Sequence, residues 1–437
     1  NLHNARKGHT PVVNIVGDHA TYHKQYDAQL ESDIDTVARN VSRFIRWSAK
    51  TAEVGDDAAD TVAAAFGPPR QVATLVLPAD ISWGDGGRVC APRSPRRRTT
   101  VSDDTVHTIT KALRSGEPAG LLVGGTACRA STLAYARSIA DATDAKLLCE
   151  TFPARIERGA GRVAVDRIAY LGEFAAMQLD GLRHLVLIDA KAPVSFFAYP
   201  DRASWLVPDG CELHTLAGPC DDVPSALVAL ADALGAVPES AGRQPLARPA
   251  LPDGPLTAQT VCAALGALLP EGAIVSDEGN TSGLFAAGST AGAPPHDWLC
   301  LTGGAIGQGL PVAVGAALAC PDRRVVALES DGSAMYTLQA LWTMAREGLD
   351  VTTIVCNNRS YAVLNMELGR VGAEGAGPRA KAMLDLRRPD LDFVALAHGM
   401  GVPSTRATTA EEFSEQLARA LATPGPTVVE AVVPSIV

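Results

Sequence analysis

Along this chain, short β-branched runs alternate with stretches whose apolar residues recur at helical spacing. The clearest case spans residues 324–358. RVVALE (Arg324 to Glu329) reads as a strand, and from Ser333 onward Tyr336, Leu338, Leu341, Trp342 and Ala345 predict one helical face. Gly348 stops that helix, and VTTIVC (Val351 to Cys356) reads as a second strand. Strand, helix, strand in an open sheet makes a right-handed parallel unit, so Asp331 and Asn358 are both expected just beyond the carboxyl ends of neighbouring strands. Ligands of doubly wound sheets bind at that edge.

The same pattern, broken by changes in composition, divides the chain in three. Residues 1–88 contain the strand-like VVNIV and close with VATLVLPADISW; the Pro/Arg/Ser segment CAPRSPRRRTT then reads as a solvated linker. A second block, 104–240, carries GLLVGG, a helix through Ala130 to Ala142, KLLCETF, a helix near Ala175 and HLVLIDA, and ends in the proline-rich VPESAGRQPLARPALPDGP. A third block, 255–437, runs from AIVS to the strand TVVEAVV. The expectation is an α/β protein of three doubly wound parallel-sheet domains.

Composition narrows the class. With 437 residues, 47% hydrophobic and 20% charged, the chain can build several cores. A net charge of −10 and a pI near 5.4 argue against nucleic acid or an anionic membrane as partner. No run approaches the ~20 apolar residues of a membrane span. Nine cysteines, odd in number and without metal-type spacing, read as reduced core residues of a cytoplasmic protein.

Three stretches carry candidate chemistry. In SDGSAMYTLQALWT and the following Asn-Asn, Asp331 and Asn358 offer the hard oxygens that Mg²⁺ takes, while Gly332 and Ser333 present helix N-terminal N–H groups to phosphate. DEGNTSG (Asp277 to Gly283) follows a strand and is rich in small hydrogen-bonding residues. TGGAIGQGLPVAVGAALA (Thr302 to Ala319) places glycines where backbone comes close to something. Each alone is more often an ordinary turn, cap or packing device; Asp331 and Asn358 together, at this spacing around a strand-helix-strand unit, favour a metal with its phosphates.

These three motifs resemble those of the thiamine diphosphate-dependent enzymes, in which Gly-Asp-Gly precedes Asn-Asn by two dozen or so residues. Ser330 stands where the family usually has its first Gly. SDGSAMYTLQALWT is most similar to the benzoylformate decarboxylase version, and the order of segments to acetolactate synthase large subunits. The resemblance implies thiamine diphosphate and Mg²⁺ as cofactors, with Asp331, Asn358 and the main-chain oxygen of Ser360 as metal ligands. It implies Asn280, Thr281, Gly332, Ser333 and Tyr361 at the diphosphate, the Gly304 carbonyl at the aminopyrimidine amino group, and Ile306 beneath the cofactor's two rings. GHTP resembles the His-Ser-Pro of benzoylformate decarboxylase and makes His9 the first candidate for proton transfer, with His19 and His23 behind it. A second histidine of that decarboxylase would fall at Ala198 in KAPVSFFAYP, which counts against benzoylformate as substrate.

The implied reaction is decarboxylation of a 2-oxo acid followed by addition to a second carbonyl, as in acetolactate synthases. The alternatives are simple decarboxylation and a catalytically silent paralogue. LLVGGTACRAST resembles a Rossmann-like glycine turn; some family members hold FAD in that domain and others nothing, so FAD stays open. Active sites shared between subunits imply a homodimer or homotetramer. The family's activating glutamate is expected ahead of GHTP by more residues than precede it here, so the expectation is that a segment precedes Asn1.

Overall fold

The computed structural model describes residues 1–240, 242–373 and 377–436. Its strands are β1 (Val12–Asp18), β2 (Ser42–Trp47), β3 (Val72–Pro78), β4 (Ala119–Val123), β5 (Lys146–Cys149), β6 (Ile156–Arg158), β7 (Asp166–Arg167), β8 (His184–Ile188), β9 (Glu212–Ala217), β10 (Ile274–Glu278), β11 (His296–Leu299), β12 (Val325–Ser330), β13 (Val351–Asn357), β14 (Ser404–Ala407) and β15 (Thr427–Val432). They form three sheets, ordered β1-β3-β2, β7-β5-β4-β8-β9 and β14-β15-β13-β12-β10-β11-β6. Every pairing within them is parallel except β11 with β6, which ties the middle of the chain to the edge of the third sheet. The α/β class and parallel sheets expected from the sequence are present.

The third sheet explains where a ligand would sit. After β10 the chain steps outward to β11, then returns to the other side of β10 for β12, β13 and β15. The strand order therefore reverses between β10 and β12, and their carboxyl ends frame a crevice. Every residue of β12 and β13 is buried, as strands covered by helices on both faces require.

One local expectation needs correction. The helix after Asp331 is not continuous: one turn, Asp331–Ala334, is followed by tight turns, and a regular helix resumes only at Ala340–Glu347. The turns repeat an i to i+3 bond, Tyr336 N–H to Ser333 O and Thr337 N–H to Ala334 O, because the Cα of Gly307 sits directly against the side chains of Tyr336 and Thr337. Tyr336 and Trp342 are consequently exposed, and Leu338, Leu341 and Met344 make the buried face. The basic linker is exposed along most of its length, with Arg98 half-buried. Arg93 pairs with Asp56 and Asp60 of the helix Val54–Phe66, and Arg98 donates to the carbonyls of Pro219 and Asp221.

All nine cysteines are free, five of them buried, and among the described residues no helix is long and apolar enough to cross a membrane.

Candidate functional site

Asp331 is the first residue beyond β12, and the pairing of Ser330 with Cys356 sets it level with the loop that follows β13. Its carboxyl accepts from the N–H of Gly332 (2.8 Å) and of Arg359 (2.5 Å), with further N–H help from Asn358 and Ser360. Burial outweighs these donors and pushes its pKa up to about 6. Among the described residues no Lys or Arg side chain pairs with it, so this carboxylate is desolvated without a cation. Asn358 Oδ1 accepts from Ser360 N–H (2.9 Å), and Arg359 between them takes a left-handed backbone (φ 60°), which folds the loop back over Asp331. The ring of Tyr361 lies over Gly332, where an added Cβ would stand 2.6 Å from it. Of the Asn-Asn pair, Asn357 is structural: its amide donates to Glu430 Oε1 (2.7 Å).

The loop after β10 closes the crevice. Ser330 Oγ donates to Gly279 O (2.7 Å), and Ser333 Oγ caps its own helical turn while reaching Glu278 O (3.3 Å). Asn280, exposed and at φ 45°, and the half-buried Thr281 follow Gly279 in this loop.

Sequence reasoning missed what holds the glycine-rich stretch. Glu278, the last residue of β10, is buried, and its carboxylate accepts from the N–H groups of Gly307 (2.7 Å), Gln308 (3.3 Å) and Gly309 (2.7 Å). Glu329, level with it on β12, is fully buried against it and accepts from Ser333 Oγ (3.2 Å). Burial raises both acids, and Glu278's charge raises Glu329 further. Two adjoining buried carboxylates resist ionising together, and the three N–H bonds to Glu278 leave Glu329 as the one on which a shared proton would sit. Without that proton Glu329 Oε1 has no partner. On the outer side of the same stretch, Asn4 of the helix Leu2–Lys7 donates to Ala305 O (2.7 Å) and accepts from Ala305 N–H (3.2 Å). Gly303 is obligatory there, since a Cβ would lie 2.3 Å from Asn4 Oδ1. Acids ending two otherwise apolar strands were a visible signal for Glu278 and Glu329; nothing marked Asn4.

Gly304 (φ 71°) and the half-buried Ile306 flank this anchor, and the ring of Phe196 rests on the Gly304 Cα. Phe196 belongs to an aromatic cluster with Phe152, Tyr170 and Phe197, so KAPVSFFAYP does reach the crevice, through Phe196 rather than through Ala198. Tyr170 donates to Glu367 (3.0 Å) and Arg370 pairs with Glu173 through both nitrogens, fixing the helix Ala362–Arg370 against the middle of the chain.

The histidines separate. His9 (φ 48°) follows Gly8, which abuts Thr302 of the glycine-rich stretch; burial lowers its pKa, with Arg70, Asp189, Lys191 and Arg43 as its other influences. The rings of His19 and His23 lie with centroids 5.2 Å apart and tilted by 55° in the loop after β1, and among the described residues no hydrogen bond joins either ring to residues 277–361. At the Gly124–Gly125 turn, Gly125 N–H donates to Glu150 (3.2 Å) while Thr126 gives its N–H and hydroxyl to Asp189 (2.8 Å each). The donors a nucleotide phosphate would need there are taken by carboxylates.

Comparison with known proteins agrees with this geometry. Residues 277–431 match the model for the thiamine pyrophosphate enzyme C-terminal TPP-binding domain. A Mycobacterium tuberculosis protein provisionally named acetolactate synthase large subunit IlvX is 54% identical over 440 residues, covering 100% of this chain and 84% of the relative. The chain belongs to the thiamine diphosphate-dependent enzymes. Within that family a benzoylformate decarboxylase of Pseudomonas aeruginosa is 33% identical over 270 residues, 58% of this chain and 49% of the relative. The fold is shared with a thiamine diphosphate-dependent 4-hydroxybenzoylformate decarboxylase of Rhodococcus jostii RHA1, with a TM-score of 0.81 at 22% identity over 99% of this chain and 84% of the other.

Proposed function

We propose that this protein binds Mg²⁺ and thiamine diphosphate in the crevice between β10, β12 and β13, decarboxylates a 2-oxo acid, and joins the remaining fragment to a second carbonyl. The observation that carries this reading is the buried Asp331 carboxylate, surrounded by N–H groups and lacking a cation. Asp331, Asn358 Oδ1 and the Ser360 carbonyl would hold a hard divalent ion, which would supply the missing charge.

When bound, thiamine diphosphate supplies a carbon nucleophile and an electron sink for loss of CO₂. The chain's residues do the rest. Asn280, Thr281, Gly332, Ser333 and Tyr361 hold the diphosphate end. Gly304 and Ile306 position the rings, on a loop that Glu278 and Asn4 fix from its two sides. His9, which follows Gly8 beside Thr302, is the first candidate to move a proton, with His19 second. Kinship with a protein named as an acetolactate synthase along the whole chain favours carboligation over simple decarboxylation, and Ala198 in place of the decarboxylase histidine points the same way. Sites shared between subunits make a homodimer or homotetramer the working assembly, in the cytoplasm.

The test is CO₂ release by the full-length protein from a panel of 2-oxo acids, beginning with pyruvate, with Mg²⁺ and thiamine diphosphate added. Release with a 2-hydroxy ketone or 2-hydroxy acid product supports the reading. An aldehyde as sole product replaces it with simple decarboxylation. Bound cofactor without release from any acid indicates a silent paralogue.

A further inference from the structure

Away from the crevice, one group of side chains among the described residues gathers three metal-type donors: His184, Glu212 and His214. The sheet register puts them together. His184 on β8 is paired with Glu212 on β9, the edge strand, and His214 lies two residues beyond Glu212 on the same face. His184 Nδ1 is 3.1 Å from His214 Nε2, and a Glu212 carboxylate oxygen is 3.7 Å from the first and 3.9 Å from the second. A point equidistant from these three atoms lies about 2.1 Å from each, which is the length of a Zn–N or Zn–O bond.

The surroundings fit a metal better than a chance contact. Both imidazoles are buried at 8% exposure, whereas Glu212 is exposed, so two ligands are held rigidly and the third can close on an ion. The other nitrogen of His184, Nε2, is 3.1 Å from Glu117 Oε2. In the tautomer whose Nε2–H donates to Glu117, Nδ1 is the lone-pair nitrogen facing His214 and Glu212, as in the carboxylate–histidine–metal arrangement that raises ligand basicity. A shallow cleft beside the helix Asp103–Leu113, lined by Asp104, Thr105, Thr108 and His214, leads from solvent to the group.

We propose that His184, His214 and Glu212 form a site for a borderline divalent cation, Zn²⁺ in the first instance, with Glu117 as a positioning residue and water completing the shell. Two imidazoles and a single carboxylate suit Zn²⁺ and its neighbours in the transition series, not the all-oxygen preference of Mg²⁺. Bound there, the ion staples edge strand β9 to β8 and closes the exposed side of the second sheet.

The experiment takes the full-length protein, treated with chelator and then saturated with Mg²⁺ and thiamine diphosphate, and titrates it with Zn²⁺ and with Co²⁺ as a spectroscopic probe. Wild type is expected to take up one further ion per chain, with the visible absorption of Co²⁺ in a nitrogen-containing site of low coordination number. Glu212→Gln, at an exposed position that leaves the fold intact, and His214→Asn each abolish that uptake, and Glu117→Gln weakens it about 10- to 100-fold. Far-UV circular dichroism confirms that each variant is folded. The proposal is overturned if wild type takes up no such ion, or if Glu212→Gln and wild type bind the same number with the same affinity.

Discussion

Glu278 and Glu329 look interchangeable, two buried acids side by side, yet the hydrogen bonds give them opposite roles. Glu278 is the acceptor for three N–H groups at 2.7, 3.3 and 2.7 Å, and Glu329 is the proton donor that lets both be buried. In Glu278→Gln one oxygen becomes an NH₂ that faces an N–H of residues 307–309. Leaving that N–H unpaired costs about 1–3 kcal/mol, and the surviving bonds lose their charge assistance, about 1 kcal/mol each. The expected total is about 3–5 kcal/mol. In Glu329→Gln the amide N–H replaces the carboxyl O–H toward Glu278, and the amide oxygen still accepts from Ser333, so the cost is expected within about 1 kcal/mol. Urea unfolding followed by circular dichroism at neutral pH, on both variants beside wild type and without cofactor, reads the difference. If Glu329→Gln lowers the midpoint as far as Glu278→Gln, the proton is wrongly placed; if neither moves it, the carboxylate does not hold the loop.

Three further expectations follow from single contacts. Asn4→Ala removes both side-chain bonds to Ala305 and should cost about 2 kcal/mol, with faster hydrogen exchange at the Ala305 amide; unchanged exchange there would contradict the anchor. Gly304→Ala meets a left-handed backbone and a Phe196 ring 2.3 Å from the new Cβ, so it should destabilise by about 1–3 kcal/mol, and adding Phe196→Ala should return only the steric part, as a double-mutant cycle measures. Burial lifts the Glu150 pKa from an unfolded value of 4.5 to about 7, so the folded state favours its neutral form. The stability this acid costs therefore grows as pH rises through that window and is complete above it. Glu150→Gln should leave the unfolding free energy unchanged near pH 4.5 and raise it by about 1–3 kcal/mol at pH 8, for a side chain that keeps some contact with water, with a higher melting temperature at that pH.

The sequence made the third sheet legible because its strands are covered on both faces and so read as unbroken apolar runs; RVVALE and VTTIVC appear as β12 and β13 within a residue or so. Asp331 and Asn358 could be brought together on paper because one parallel crossover fixes which strand ends are neighbours. The contacts made across long sequence separations could not. Asn4 meets Ala305 and Phe196 meets Gly304 through packing between distant segments, and no local pattern encodes either. The helix after Asp331 failed for a related reason: apolar periodicity was present, but the close approach of Gly307 broke the turn. The three histidines of GHTPVVNIVGDHATYH were alike as residue types, and no local pattern encodes the contact of Gly8, next to His9, with Thr302 or the pairing of the His19 and His23 rings.

The most direct test of the crevice as a metal–diphosphate site is calorimetric titration of the full-length protein with thiamine diphosphate, with and without Mg²⁺, for wild type and Asp331→Asn. Wild type should bind tightly only when Mg²⁺ is present, and Asp331→Asn, which keeps the shape and removes the charge, should lose that Mg²⁺ dependence together with at least a hundredfold in affinity, about 2.7 kcal/mol. Equal binding by both proteins, or tight binding by wild type in the absence of any divalent ion, would show that Asp331 does not hold the metal and that the site has been misread.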